Sequence, residues 1–158
     1  MIQATELRIG NLVNVENYKY HPKLKNIPLC VSGINPTLGL DQEPSYSISL
    51  EHINQKPNTY YVSYSQLIWF IKPIPLTEEW LLKFGFGPSP FCVHGDFQKG
   101  YILVRKVNNG DFKNKDLQWT CELNTETDWV DLVKMPYVHQ LQNLFFALTG
   151  EELTINTK

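Results

Sequence analysis

Two prolines one residue apart, Pro73 and Pro75, divide the chain. Neither has an N–H, and each biases the residue before it toward extended backbone. The segment Lys72–Leu76 therefore cannot be helix interior, and the hydrophobic pattern changes across it. Before it the pattern is that of short strands. Leu12-Val13-Asn14-Val15 follows a Gly10-Asn11 turn, and Leu29 to Ile34 is a second apolar run, closed by Gly33 and Asn35-Pro36. Tyr46 to Leu50 alternates strictly, Tyr60-Tyr61-Val62 follows a Lys-Pro-Asn turn, and Leu67 to Ile71 runs into the connector. Alternation and turn residues at this spacing predict five short strands in a small, strongly bent sheet. A Gly turn, a strand, a long first loop and a short last strand match an SH3-like small β-barrel over residues 1–75.

After the connector the signals are helix, strands, helix. Thr77 supplies an N-cap oxygen, Glu78 and Glu79 favour the positive end of a helix, and Leu76 and Leu81 form a hydrophobic staple. Gly85 suits the left-handed position that ends a helix, so the pattern predicts a helix over 78–84. Strands follow at Phe91–His94, Tyr101–Val107, Leu117–Leu123 and Trp129–Val133, with Asn109-Gly110 as a hairpin turn. Pro136 suits a helix start. From Tyr137 apolar residues recur at helical spacing, with Leu141, Leu144 and Leu148 on the inner stripe and Gln142 and Asn143 toward water. The expected fold is α+β: an N-terminal SH3-like small β-barrel followed by a helix, four-stranded antiparallel sheet, helix unit. The expected lobes are 1–75 and 76–158, packed together.

The 158 residues are 42% hydrophobic, enough for a folded core, and 14 basic against 16 acidic side chains leave a net charge of −2. That balance disfavours a general nucleic-acid binder. No apolar run reaches a membrane span, and the start MIQATELRIG lacks a basic-then-apolar leader, so the expected location is cytoplasmic, with no membrane partner. Cys30, Cys92 and Cys121 are odd in number and widely spaced, which argues against a disulfide framework. A zinc site would need Cys92, His94 and Cys121 to converge, and the simpler reading is a buried free thiol.

Catalytic templates are absent: no phosphate loop, nucleophile elbow or zinc-helix spacing occurs. Phe84-Gly85-Phe86-Gly87-Pro88 follows a helix, so it is a cap and not a phosphate cradle. Asp116, Glu122, Glu126, Asp128 and Asp131 crowd residues 116–131 without a base, as a solvated acidic face or the carboxylates of a metal-dependent nuclease. His94-Gly95-Asp96 has no nucleophile spaced to join it. The strongest binding signal is Tyr18-Lys19-Tyr20-His21-Pro22-Lys23-Leu24-Lys25, where rings and cations interleave as stacking platforms and phosphate partners. Candidate ligand-binding residues are Tyr18, Tyr20, Lys23, Lys25 and, from a second basic stretch, Arg105. Tyr60, Tyr61, Tyr64, Trp69 and Phe70 form the densest aromatic cluster, a small core or a grip on a partner.

Three blocks carry a resemblance: ATELRIGNLV (Ala4–Val13), KPIPLTEEWLLKFGF (Lys72–Phe86) and YVHQLQNLFFALTGEELT (Tyr137–Thr154). Together, and in this order, they resemble small uncharacterised proteins that recur in phages and prophages of Bacteroidetes bacteria. The resemblance implies action in the cytoplasm of an infected bacterium, on a scaffold with variable loops, and transfers no catalytic residue. Blocks two and three coincide with helix caps and helix faces, so they read as fold determinants.

The functional expectation is a phage-type binding protein that is not an enzyme and needs no cofactor or metal. It would sequester a nucleotide signal of antiphage defence, such as a cyclic nucleotide, or a host protein, and a homo-oligomer is compatible with it. The alternatives are a metal-dependent nuclease or phosphodiesterase built on the 116–131 acids, and a virion or replication accessory acting only through protein contacts.

Overall fold

The computed structural model describes residues 2–16, 27–38, 44–53, 64–90, 95–107, 118–125 and 127–156. The chain forms two compact units, Met1–Ile74 with Val138–Glu152 and Pro75–Tyr137 with Leu153–Lys158. The first boundary falls inside the proline connector, where extended backbone is enforced.

The first unit opens with a 3-10 turn at Ala4–Glu6. Its strands are β1 (Leu12–Val15), β2 (Leu29–Leu38), β3 (Pro44–His52), β4 (Tyr64–Leu67) and β5 (Ile71–Pro73). They pair antiparallel in the order β4-β3-β2-β1-β5. Val13, Leu29, Val31, Ile48, Leu50 and Ile71 are fully buried and form its core. Branched residues at alternate positions fit a pleated, half-buried surface. The closed SH3-like barrel expected from strand count is corrected here. β4 and β5 are the two edges of an open sheet, and among the described residues no ladder joins them. Leu12–Val15, Leu29 to Ile34 and Tyr46 to Leu50 fall on strands as expected, whereas the expected strand at Tyr60–Val62 lies outside the described residues and Ile68–Phe70, expected as strand, is a 3-10 turn; closure depends on a long-range pairing that no local pattern encodes.

The second unit contains helix α1 (Glu78–Lys83) and strands β6 (Gly87–Pro88), β7 (Phe97–Lys99), β8 (Ile102–Val107), β9 (Gln118–Asn124) and β10 (Trp129–Lys134). The sheet order is β10-β9-β8-β7-β6. Thr77 caps α1 by accepting the Trp80 N–H at 3.4 Å. Gly85 at φ +78° ends it, and the Phe86 N–H folds back to the Leu81 carbonyl. Leu81, Phe84, Phe86, Leu103 and Cys121 are buried.

The expected unit of helix, four-stranded sheet and helix is also corrected. Among the described residues the sheet has five strands: Gly87–Pro88 and Phe97–Lys99 pair as strands the pattern does not predict, and the expected strand Phe91–His94 lies outside the described residues. The final helix, α2 (Val138–Thr149), belongs to the first unit. Among the described residues the fold is therefore mostly β, two antiparallel sheets with two α-helices. The reason α2 joins the first unit is polar. Gln142, 3% exposed, accepts the Leu12 N–H at 2.8 Å and donates to the Gly10 carbonyl at 3.2 Å. Asn143 donates to the Glu6 carbonyl and accepts from Asn11, at 2.8 and 2.9 Å. The expectation that Gln142 and Asn143 face water is overturned: they satisfy backbone groups of the turn before β1, which a helical wheel cannot show. Leu141 is buried as expected, while Leu144 and Leu148 are half-buried.

Candidate functional site

Tyr18, Tyr20, Lys23 and Lys25 lie outside the described residues. Arg105 lies on β8, and its surroundings are defined. Its Nε donates to Asp96 Oδ2 at 3.1 Å and its NH1 reaches Glu122 Oε1 at 2.8 Å. The side chains of Asp96 and Glu122 are 8% and 7% exposed, against 41% for Arg105. The guanidinium thus neutralises two nearly buried carboxylates, a demand that its fork of donors meets. Glu122 is also opposite Asp131 across β9 and β10. Burial pushes the Glu122 carboxyl above its usual range, Arg105 pulls it back, and Asp131 and Asp96 push it further up. Three acids and one arginine gather here, so the local field favours cations over phosphates.

The acids expected to form a metal-dependent site are partly described. Asp116 and Glu126 lie outside the described residues. Asp128 accepts the Trp129 N–H at 2.8 Å, a local turn bond. Among the described residues no three His, Cys, Asp or Glu side chains are placed to hold a metal ion. Cys92 and His94 lie outside the described residues, and Cys121 is buried with its thiol pushed up to about 12 by burial and by Glu122. A thiol in that state is a poor nucleophile and a poor ligand.

Beside α1 lies a depression of about 340 Å³ lined by Leu76, Thr77, Glu78, Glu79, Lys106 and Trp119. The Trp119 indole N–H is used by the Leu76 carbonyl at 2.8 Å, and Lys106 Nζ sits 3.4 Å from Glu78. Its polar groups are therefore committed to each other, and two glutamates outweigh one lysine.

The surface that sequence reasoning missed is on the first sheet. β1 pairs with β2 only at Leu29 and Cys30, and β4 pairs with β3 only over Ser47–Leu50. Among the described residues β2 and β3 continue beyond those rungs as a two-stranded ribbon, Pro36 opposite Tyr46 and Leu38 opposite Pro44. Side chains two apart share a face, so all four lie on one side. Each is exposed, Leu38 by 63% and Tyr46 by 41%. Residues 27–38 and 44–50 contain no Asp, Glu, Lys or Arg. The turn pair Asn35-Pro36 predicts the end of a strand, but β2 runs on to Leu38, since a proline is tolerated on the edge of a sheet. The absence of charge over 27–38 and 44–50 was the signal available in the sequence.

Among the described residues no helix is long and apolar enough to cross a membrane. Comparison with protein-family models, with curated proteins and with solved structures finds no match to this chain.

Proposed function

We propose that this chain is a phage-type binding protein without catalysis of its own, acting through protein contacts in the cytoplasm of an infected bacterium. One observation carries the reading: an uncharged, exposed apolar ribbon face, Pro36, Leu38, Pro44 and Tyr46, on a short two-stranded extension of the first sheet. Interface centres are depleted in charge and enriched in aromatic residues, and an isolated two-stranded ribbon gains stability when a partner covers it. The partner it fits is a protein with an apolar, uncharged face. The phage setting rests on the resemblance of the three sequence blocks.

The nucleotide-sequestering form of this function rests on Tyr18, Tyr20, Lys23 and Lys25. At Arg105 it has little support, since the guanidinium already serves two carboxylates.

The test places a photoreactive residue at Leu38 during infection, with Glu79 as an exposed control. A defined heteroadduct from position 38, absent from 79 and lost on Tyr46→Lys, is the expected result. No adduct at 38 overturns the reading. In parallel, cyclic nucleotides are screened by thermal melting. A ligand at one hundred times its Kd adds about 2.7 kcal/mol, a rise of roughly 5–11 °C for a chain of this size. No such rise is expected, and one would make a nucleotide the ligand.

A further inference from the structure

β10 is the edge of the second sheet and is almost wholly exposed, with Val130 46%, Leu132 38% and Val133 48% accessible. Its backbone groups can be assigned. The Asn124 N–H bonds the Tyr101 carbonyl, so Asn124 faces the β8 side and not β10. Alternation along the antiparallel ladder then makes Leu123–Val130 a hydrogen-bonded pair and leaves the N–H and C=O of Asp131 pointing out of the sheet. At the other end the Met135 N–H bonds the Trp119 carbonyl, so Lys134, one residue earlier, also points outward.

Between these two residues the register shifts. Asp131 is opposite Glu122 and Val133 opposite Cys121, with Leu132 as the extra residue of a bulge. A bulge on an edge usually obstructs pairing. Here it has a second effect. Without it Asp131 and Lys134, three apart, would project from opposite faces and present opposite hydrogen-bonding phases. With it they stand two rungs apart, opposite Glu122 and Thr120, on one face and in one phase.

We propose that β10 pairs antiparallel with β10 of a second copy of this chain, about a two-fold axis at the Val133 rung. That axis sets Asp131 of each copy opposite Lys134 of the other, with both residues exchanging outward backbone hydrogen bonds. The two strands are thus self-complementary in charge and in hydrogen-bond phase, as an isologous interface requires. Asp131 already stands opposite Glu122, which shares Arg105 with Asp96, so the incoming Lys134 ammonium meets a surplus of carboxylate. Val133 meets its own counterpart, and Val130 and Leu132 lose exposed area.

The test is sedimentation of the full chain over a concentration series. The wild type should show a monomer–dimer equilibrium. Asp131→Lys and Lys134→Asp alone each turn two cross-strand ion pairs into like-charge contacts and should weaken association by about tenfold. The double swap restores complementarity and should recover most of it. A photoreactive residue at Leu132 should give an adduct of twice the monomer mass, which reads the contact without the charge variants. A chain that stays monomeric at all concentrations overturns the proposal. So does a dimer that neither single swap weakens, or that yields no self-adduct at 132.

Discussion

The first unit buries a base and the second an acid. His139, fully buried on α2, has the Glu6 carboxylate 3.7 Å from its Nε2. Burial lowers its pKa below the ordinary 6.5, and Glu6 partly opposes the shift. Glu122 on β9 is raised above 4.5 by burial, with Arg105 opposing. In both places desolvation favours the neutral form and one opposite charge resists it. The remainder of the polar design differs. The first unit fastens its helix with neutral amides bonded to backbone. The second gathers charged side chains on a sheet face. A buried amide is required by the backbone groups it satisfies, whereas a half-exposed ion pair is screened by water. Amide loss should therefore cost the more.

The sharpest way to break that contrast is in α2. Leu141→Ala should cost about 2–5 kcal/mol, as for any fully buried leucine. Gln142→Leu should also be costly although it adds apolar surface. It leaves the Leu12 N–H and the Gly10 carbonyl without their amide, at about 1–3 kcal/mol for each buried group. Chemical denaturation of the two variants checks this. If Gln142→Leu is neutral, the amide fastening is not what holds α2 to β1.

These two residues also mark the limit of what could be read from sequence. The ends of α1 were legible, because Thr77 and Gly85 act within a few residues of themselves, and α1 spans Glu78–Lys83 against an expected 78–84, whereas α2 begins at Val138, two residues past the expected start at Pro136. Which sheet receives α2 was not legible. It depends on the Gly10-Asn11 turn, more than a hundred residues away, offering backbone groups that Gln142 and Asn143 complete. The first and third resemblance blocks become intelligible in this light. Ala4–Val13 supplies Glu6, Arg8, Gly10, Asn11 and Leu12, and Tyr137–Thr154 supplies the side chains that meet them. Of the expected site, Arg105 was legible as a cation but not as a committed one, because Asp96, just before β7, and Glu122, on β9, lie apart from it in sequence.

The next effect is smaller and lies in the second unit. Arg105→Met leaves Asp96 and Glu122 facing each other with their side chains nearly buried. Full burial of such a pair would make the loss about 3–5 kcal/mol. Arg105 is 41% exposed, so water and salt replace part of the interaction, and about 1–3 kcal/mol is expected. Adding Glu122→Gln should recover part of that loss by removing one of the stranded charges. A double variant no more stable than Arg105→Met would mean that Glu122 is not stressed by the missing guanidinium.

The smallest effect is the pH dependence, because each buried group has a neighbour that opposes its shift. For His139 the folded pKa is depressed. Below 6.5 the unfolded chain holds the extra proton, so stability is lost as pH falls from 6.5 through the lower folded value. For Glu122 the folded pKa is raised. Above 4.5 the folded chain holds the extra proton, so stability is lost as pH rises from 4.5 through the higher folded value. The two slopes have opposite signs and open from opposite ends of the mildly acidic range, so the wild-type curve should be shallow there. Single variants separate them. Glu122→Gln removes the acid's slope and should leave stability that only rises with pH across this range, relative to wild type. His139→Leu removes the base's slope and should leave stability that falls with pH. Denaturation midpoints measured from pH 4 to 7 on the three proteins read the signs directly. Curves for the two variants that tilt the same way would show that the buried base and the buried acid are not the groups that set the response.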